Sequence, residues 1–251
     1  MIEERHQFAS DNVAPICPEA WAALQEANAH YAPSYGEDRW TARVCDRVRE
    51  IFETDCDIYF VFTGTAANAL ALAQVCKSFQ SIICHQRSHI QTDECGAPEF
   101  FTGGSKLLLV GGADGRIDSD QLKELLTRNN ELHSHKPGAI SIAEATEFGT
   151  VYRRDEVAAF ADLARVHQLS LHMDGARFAN AIASLNCAPK AITWEVGLTF
   201  SVLEGQKMER GLASWLFFSI RRSRANLSIE RNKPGSSDRR CVFSLHSGWG
   251  F

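Results

Sequence analysis

The sequence has no apolar run near the roughly 20 residues that a helix needs to cross a bilayer, which argues against a spanning segment. Its opening, Met1-Ile2-Glu3-Glu4-Arg5-His6, lacks the basic-then-apolar pattern of a secretory signal. The eight cysteines (Cys17, Cys45, Cys56, Cys76, Cys84, Cys95, Cys187, Cys241) include no CxxC pair and no tight framework. They read as cytosolic thiols, and the chain as cytoplasmic. There is no internal repeat and no low-complexity tract. A net charge of −5 gives no hint of nucleic-acid binding. What remains is ordinary globular material: 251 residues, 45% hydrophobic and 23% charged, enough for one or two domains with a buried core.

The average charge hides a division. Residues 1–197 hold 17 Lys and Arg against 27 Asp and Glu, whereas residues 198–251 hold 9 against 4. The second stretch also carries nine Ser, a Pro-Gly-Ser-Ser run and the cluster Arg221-Arg222-Ser223-Arg224. A basic nucleic-acid-binding tail and a solvated terminus are two readings of this change. A third is that the stretch never evolved as protein.

The first part alternates strand-like apolar runs with helix-period segments, so it is expected to be α/β, with a mostly parallel sheet flanked by helices. Strands are expected at Ile58–Phe62, Ser81–Cys84, Lys106–Val110, Ala139–Ile142 and Leu169–His172. Helices are expected at Pro18–Ala29, Thr41–Phe52, Ala66–Phe79, Ser119–Asn129 and Asp155–Val166. In the last, Val157, Ala158, Phe160, Ala161 and Ala164 share a face, the spacing of a sheet-packing helix.

Thr63-Gly64-Thr65 follows a strand and opens a helix, which aims backbone N–H groups and the positive dipole end at an anion. A simple Thr cap accounts for the same residues. No Gly-Lys-Ser/Thr follows, so this is not a Walker loop. His172-Met173-Asp174 ends a strand in an acid, with Arg177 three residues on. An acid there lies where open α/β sheets bind ligands and can hold a protonated pyridine nitrogen. A helix cap with an Arg partner is the alternative. Cys84, His85, His89 and Cys95 lack zinc-site spacing, so no metal is expected. A histidine stacked on a flat cofactor is another use, and His85 reads as a satisfied surface residue. His133-Ser134-His135 reads as an inert polar loop.

Together these motifs resemble the L-threonine aldolase (β-eliminating lyase) family of pyridoxal-phosphate enzymes. The matching stretches are Phe8–Asn12, Tyr35–Asp38, Thr63–Leu70, Ser88-His89, Asp93–Gly104, Glu147–Tyr152 and His172–Phe178, in the family's order. The resemblance implies a large domain of the aspartate-aminotransferase type, with pyridoxal 5′-phosphate at the interface of a homodimer or homotetramer. Gly64 and Thr65 would hold its phosphate, His89 would stack on its ring and Asp174 would pair with the ring nitrogen. Ser10 and Arg177 would contact the carboxylate of a small amino-acid substrate. The implied reaction is retro-aldol cleavage of L-threonine or L-allo-threonine to glycine and acetaldehyde.

The resemblance breaks after Gly197. The family continues with a strand and Phe-Gly-Gly-Thr-Lys-Asn-Gly, whose lysine carries the cofactor covalently; here the chain reads Leu198 through Arg210 without that motif. Codons compatible with residues 198–209, read one base earlier, can spell Leu-Asp-Val-Leu-Cys-Phe-Gly-Gly-Thr-Lys-Asn-Gly. The same offset makes residues 229–244 family-like. The expectation is therefore a cofactor-binding large domain over 1–197 and a frameshifted tail over 198–251, with the family's small C-terminal domain absent. The basic charge of the tail is then a coding accident. Lys207 falls where the family's lysine would, so it is the candidate cofactor lysine, among altered neighbours. A catalytically inactive remnant is the alternative to an active lyase.

Overall fold

The computed structural model of the chain describes residues 15–128, 132–204 and the strand 215–220. Two helices lead in, α1 (Pro18–Ala27) and α2 (Arg39–Phe52). Then come β1 (Cys56–Val61), α3 (Gly64–Val75), β2 (Gln80–His85), the short helices α4 (His89–Thr92) and α5 (Ala97–Phe101), and β3 (Lys106–Val110). The chain continues through α6 (Ser119–Arg128), β4 (Lys136–Ala143), α7 (Arg154–Val166), β5 (Ser170–Gly175), α8 (Phe178–Leu185), β6 (Phe200–Glu204) and β7 (Trp215–Ile220).

The seven strands form one sheet in the order β1-β7-β6-β5-β4-β2-β3. Strands β2 to β6 run parallel, and β7 is antiparallel to both of its neighbours. Both faces are covered, which is why the strands read as continuous apolar runs rather than alternating ones. On one face Ile83, Ile140, Leu171 and Met173 belong to a core with Val48 and Phe52 of α2, Leu122 of α6 and Val157 and Phe160 of α7. On the other, Ile82 and Cys84 pack with Leu72, while Phe200 and Val202 meet Ala67 and Ala71. The small residues of α3 thus let it lie close against the sheet. The α/β, mostly parallel architecture expected from sequence is the one observed.

Differences from the expected elements have local causes. Helix α3 stops at Val75, short of Phe79, because Cys76 turns extended and the Gln80 side chain takes the Lys77 N–H at 2.9 Å. Helix α2 begins earlier than Thr41: Asp38 accepts the Trp40 and Thr41 amides at 2.9 Å each, an N-cap that fixes the start at Arg39. Strand β6 lies past Gly197, inside the stretch read as tail. Leu198, Phe200 and Val202 alternate with Thr199 and Ser201, a strand period that suits the slot beside β5.

Cys76, Cys84, Cys95 and Cys187 carry free thiols. Cys45, on α2, is disulfide-bonded and so departs from the thiol reading. Such a pairing depends on tertiary approach, which cysteine spacing alone does not reveal. Among the described residues no helix is long and apolar enough to cross a membrane.

Candidate active site

A parallel sheet delivers the carboxyl ends of its strands to one edge, and the loops leaving them can converge there. Four do so here. After β1, Thr63 caps α3 by accepting the Ala66 amide at 3.1 Å, and the first intrahelical bond runs from Ala67 N–H to the Thr63 carbonyl at 3.0 Å. The amides of Gly64 and Thr65 precede that ladder, so they are available to an anion at the positive end of a 12-residue helix. The cap and the anion site are therefore compatible uses of one turn.

After β2, Ser88 starts α4 and brings in His89. The His89 ring is 39% exposed, and its Nδ1 meets Glu94 Oε1 at 2.9 Å. Glu94 itself is buried, at 3% exposure. The hydrogen bond that His89 donates to Glu94 raises the pKa of His89 above the ordinary imidazole value against the opposing effect of burial. Burial pushes Glu94 up in turn, while its bonds to His89 and Asn68 pull it down.

Within β5, one residue before the strand ends, stands Asp174, 6% exposed. Its Oδ1 accepts the Ala176 amide at 3.0 Å and its Oδ2 accepts Asn68 Nδ2 at 2.9 Å. The helix-cap alternative does not describe this carboxylate. Helix α8 starts without a side-chain cap, and Arg177 reaches Glu147 at 3.7 Å instead. Gly175 is required beside it, because a Cβ there would run into the Val202 carbonyl of β6. Glu147, in the turn after β4, also lies close enough to His89 to bear on its charge.

The ligand atoms of His89, Glu94 and Asp174 lie within 4.8 Å of one another. A cation is not needed to explain that approach. Asn68 Nδ2 bridges the two carboxylates, at 2.7 Å to Glu94 and 2.9 Å to Asp174, and occupies the space between them. An amide nitrogen must face them, since ionised carboxylates only accept. A protonated ring nitrogen, as the family resemblance implies, is one group that a carboxylate such as Asp174 can hold. Among the described residues no Lys or Arg forms an ion pair with Asp174, His89 is a nearby group able to carry positive charge, and a buried carboxylate calls for a positive partner. The unbonded amides at the start of α3 suit an anion, and the oriented Asp174 carboxylate suits a positively charged group.

Of the residues expected from sequence, His89 and Asp174 meet through Asn68 and Glu94, Arg177 stands three residues past Asp174, and Gly64 and Thr65 open the helix that carries Asn68. Ser10 and Lys207 lie outside the described residues. His85 is corrected: it is buried rather than on the surface, accepting the Arg87 amide at Nδ1 and facing the Gly112 carbonyl at 3.4 Å. The loop reading of residues 133–135 agrees with the structure.

Two participants and one buried acid beside the site were missed. Asn68 and Glu94 sat inside matched motifs, but neither amide nor acid announces a partner more than twenty residues away. Glu144, closing the apolar run of β4, is fully buried and accepts the Tyr152 amide at 2.8 Å. Burial lifts its pKa from an ordinary 4.5 to about 8, so it holds its proton in the fold at neutral pH. A raised carboxyl pKa stabilises the fold fully at low pH, and that contribution is lost as pH rises through the folded value. Stability should therefore decline between about pH 4.5 and 8 on this account. Glu144→Gln should flatten that decline in denaturant titrations; an unchanged slope would assign it to other groups.

The sequence matches the beta-eliminating lyase family over residues 7–205. It is 45% identical over 222 residues to the low specificity L-threonine aldolase of a Pseudomonas species, covering 88% of this chain and 64% of that protein. It is 46% identical over 218 residues to the low specificity L-threonine aldolase of Pseudomonas aeruginosa, covering 87% and 63%. The chain thus spans a little under two thirds of the length of these relatives. Its fold matches the Leishmania major threonine aldolase structure with a TM-score of 0.79 at 24% identity, over 86% of this chain and 63% of that one. Sequence match, fold and the convergence of motifs at the sheet edge agree, and the chain belongs to the beta-eliminating lyase family.

Proposed function

We propose that this chain carries the cofactor half of a pyridoxal-phosphate-dependent aldehyde-lyase that cleaves L-threonine or L-allo-threonine to glycine and acetaldehyde. The observation that carries the reading is Asp174: a buried carboxylate at the end of β5, oriented by two hydrogen bonds and without a Lys or Arg ion pair among the described residues. When bound, pyridoxal phosphate supplies an electron sink for the pair released as the Cα–Cβ bond of the substrate breaks.

The residues of the chain hold and orient. The Gly64 and Thr65 amides take the phosphate, and Asp174 keeps a proton on the ring nitrogen, without which the ring is a weaker sink. His89 covers the ring face, its Nδ1 committed to Glu94. Arg177 receives the substrate carboxylate, with Ser10 as its second contact, and Glu147 lies beside that guanidinium. Phe62 and Phe148, 88% and 61% exposed, adjoin Thr63 and Glu147 in sequence. Exposed aromatics beside the site favour the homodimer or homotetramer the resemblance implies. The free thiols of Cys76, Cys84, Cys95 and Cys187 suit a cytoplasmic setting, whereas the Cys45 disulfide runs against it.

A second reading concerns this chain as it stands: an inactive remnant of such an enzyme. It is favoured by the absence of the Phe-Gly-Gly-Thr-Lys-Asn-Gly motif around Lys207; the family model ends at residue 205, although the match to the Pseudomonas proteins runs past Lys207. On this reading residues 1–197 are the cofactor-binding part and the frame changes at codons 197–198. The nucleotide sequence there is the test. Restoring one base should open a frame encoding Phe-Gly-Gly-Thr-Lys-Asn-Gly; DNA that offers no such frame makes the tail genuine protein.

A further inference from the structure

Asn68 is 1% exposed and sits on α3, whose N-terminus offers the amides of Gly64 and Thr65. Its two amide hydrogens go to Glu94 Oε1 and Asp174 Oδ2, side chains 26 and 106 residues away in sequence. Glu94 Oε1 also meets His89 Nδ1. A single chain of hydrogen bonds therefore runs from His89 through Glu94 and Asn68 to Asp174. Every interior link is buried, where such bonds are strong and an unmade one is costly.

We propose that Asn68 and Glu94 are positioning residues that tie His89 and Asp174 into one unit, Asn68 orienting the Asp174 carboxylate and Glu94 fixing the proton on His89 Nδ1. The proposal rests on the cofactor reading above for what the unit faces. Asn68 fits the task because an amide can donate to two carboxylates at once while adding no charge of its own. Without it, two buried acids would stand side by side with nothing between them. Loss of Asn68 would also remove the bond that orients the Asp174 carboxylate. Glu94 fits because His89 needs a fixed ring and a fixed tautomer to serve a flat ligand, and Nδ1 bonded to a carboxylate gives both. The acids facing His89 are Glu94, Asp174 and Glu147. Among the described residues only the first bonds to its ring, so replacing it separates a bond from a general field.

The test uses the full chain and pyridoxine 5′-phosphate, which has the ring and phosphate but no aldehyde and so binds without a lysine. Asn68→Leu, nearly isosteric, should weaken this ligand on the order of tenfold and remove the spectrum of the nitrogen-protonated ring. Asp174→Asn should do the same, and adding Asn68→Leu to it should change nothing further. A retained spectrum in Asn68→Leu, or additive losses in the double variant, would overturn the role of Asn68.

The ligand-free arm follows carbethoxylation of His89 against pH by peptide mass spectrometry, since only the neutral imidazole reacts. Glu94→Gln keeps the shape but removes the charge, so His89 should react several-fold faster near neutral pH. Asn68→Leu leaves Glu94 a stronger acceptor and should slow His89, although Asn68 does not touch it. Opposite shifts are not what loosened packing produces; unchanged or parallel shifts would sink the bridge. Failure of the native chain to bind pyridoxine phosphate would count against the cofactor reading alone, because the His89 profiles judge the bridge without any ligand.

Discussion

With the reading frame restored, replacing Asp174 by Ala should lower turnover of threonine by about two orders of magnitude or more while costing no more than about 2 kcal/mol of stability. The asymmetry follows from what the carboxylate touches. In the fold it accepts two hydrogen bonds, from Asn68 and from the Ala176 amide. Its loss leaves two donors unpaired, one of which keeps Glu94 as a partner. On the proposed reading it is the carboxylate that holds positive charge on the ring nitrogen, and that charge matters most as the Cα–Cβ bond breaks. Asp174→Asn should reproduce the loss with still less effect on stability, because the shape is kept. Turnover and stability are compared by initial rates and denaturant melts on the same preparations. Unchanged turnover would reduce Asp174 to a structural carboxylate.

The second large effect separates this chain from its restored counterpart. As it stands, the chain should release glycine from threonine at least about a hundredfold more slowly, since a cofactor lysine must be held to within a fraction of an ångström. Lys207 keeps the right count, but Met208, Glu209 and Arg210 stand where the family turn has small residues. The chain should also be poorly soluble, with Phe62, Tyr35 and Phe148 exposed at 88%, 82% and 61%. Borohydride reduction in the presence of pyridoxal phosphate, followed by peptide mass spectrometry, reads the lysine directly. The expectation is no adduct on Lys207. An adduct there would show that the altered neighbours still deliver it.

Much of the fold was legible because its signals are local. Strand β3 begins and ends where its apolar run does, and α7 buries Val157, Phe160, Ala161 and Ala164, four of the five residues expected on its inner face. Helices α4 and α5 were not legible: four and five residues are too few to show a period. Strand β6 was hidden by comparison with a motif it does not carry, although its alternation of apolar and hydroxyl residues is plain in Thr199–Val202. For the site, residues at strand ends could be found, since strand ends are where the sheet presents them. Asn68 lies in a helix and Glu94 between two short ones. Their meeting depends on the packing of α3 against the loop after β2, which no spacing records.

The central claim is that the edge of this sheet is the cofactor site of a threonine-cleaving lyase. Its most direct test is glycine release from L-threonine and L-allo-threonine by the product of the gene with one base restored at codons 197–198. The account predicts a yellow protein that releases glycine and acetaldehyde in equal amounts from at least one of the two. A soluble, folded product that is colourless and releases glycine from neither would contradict it.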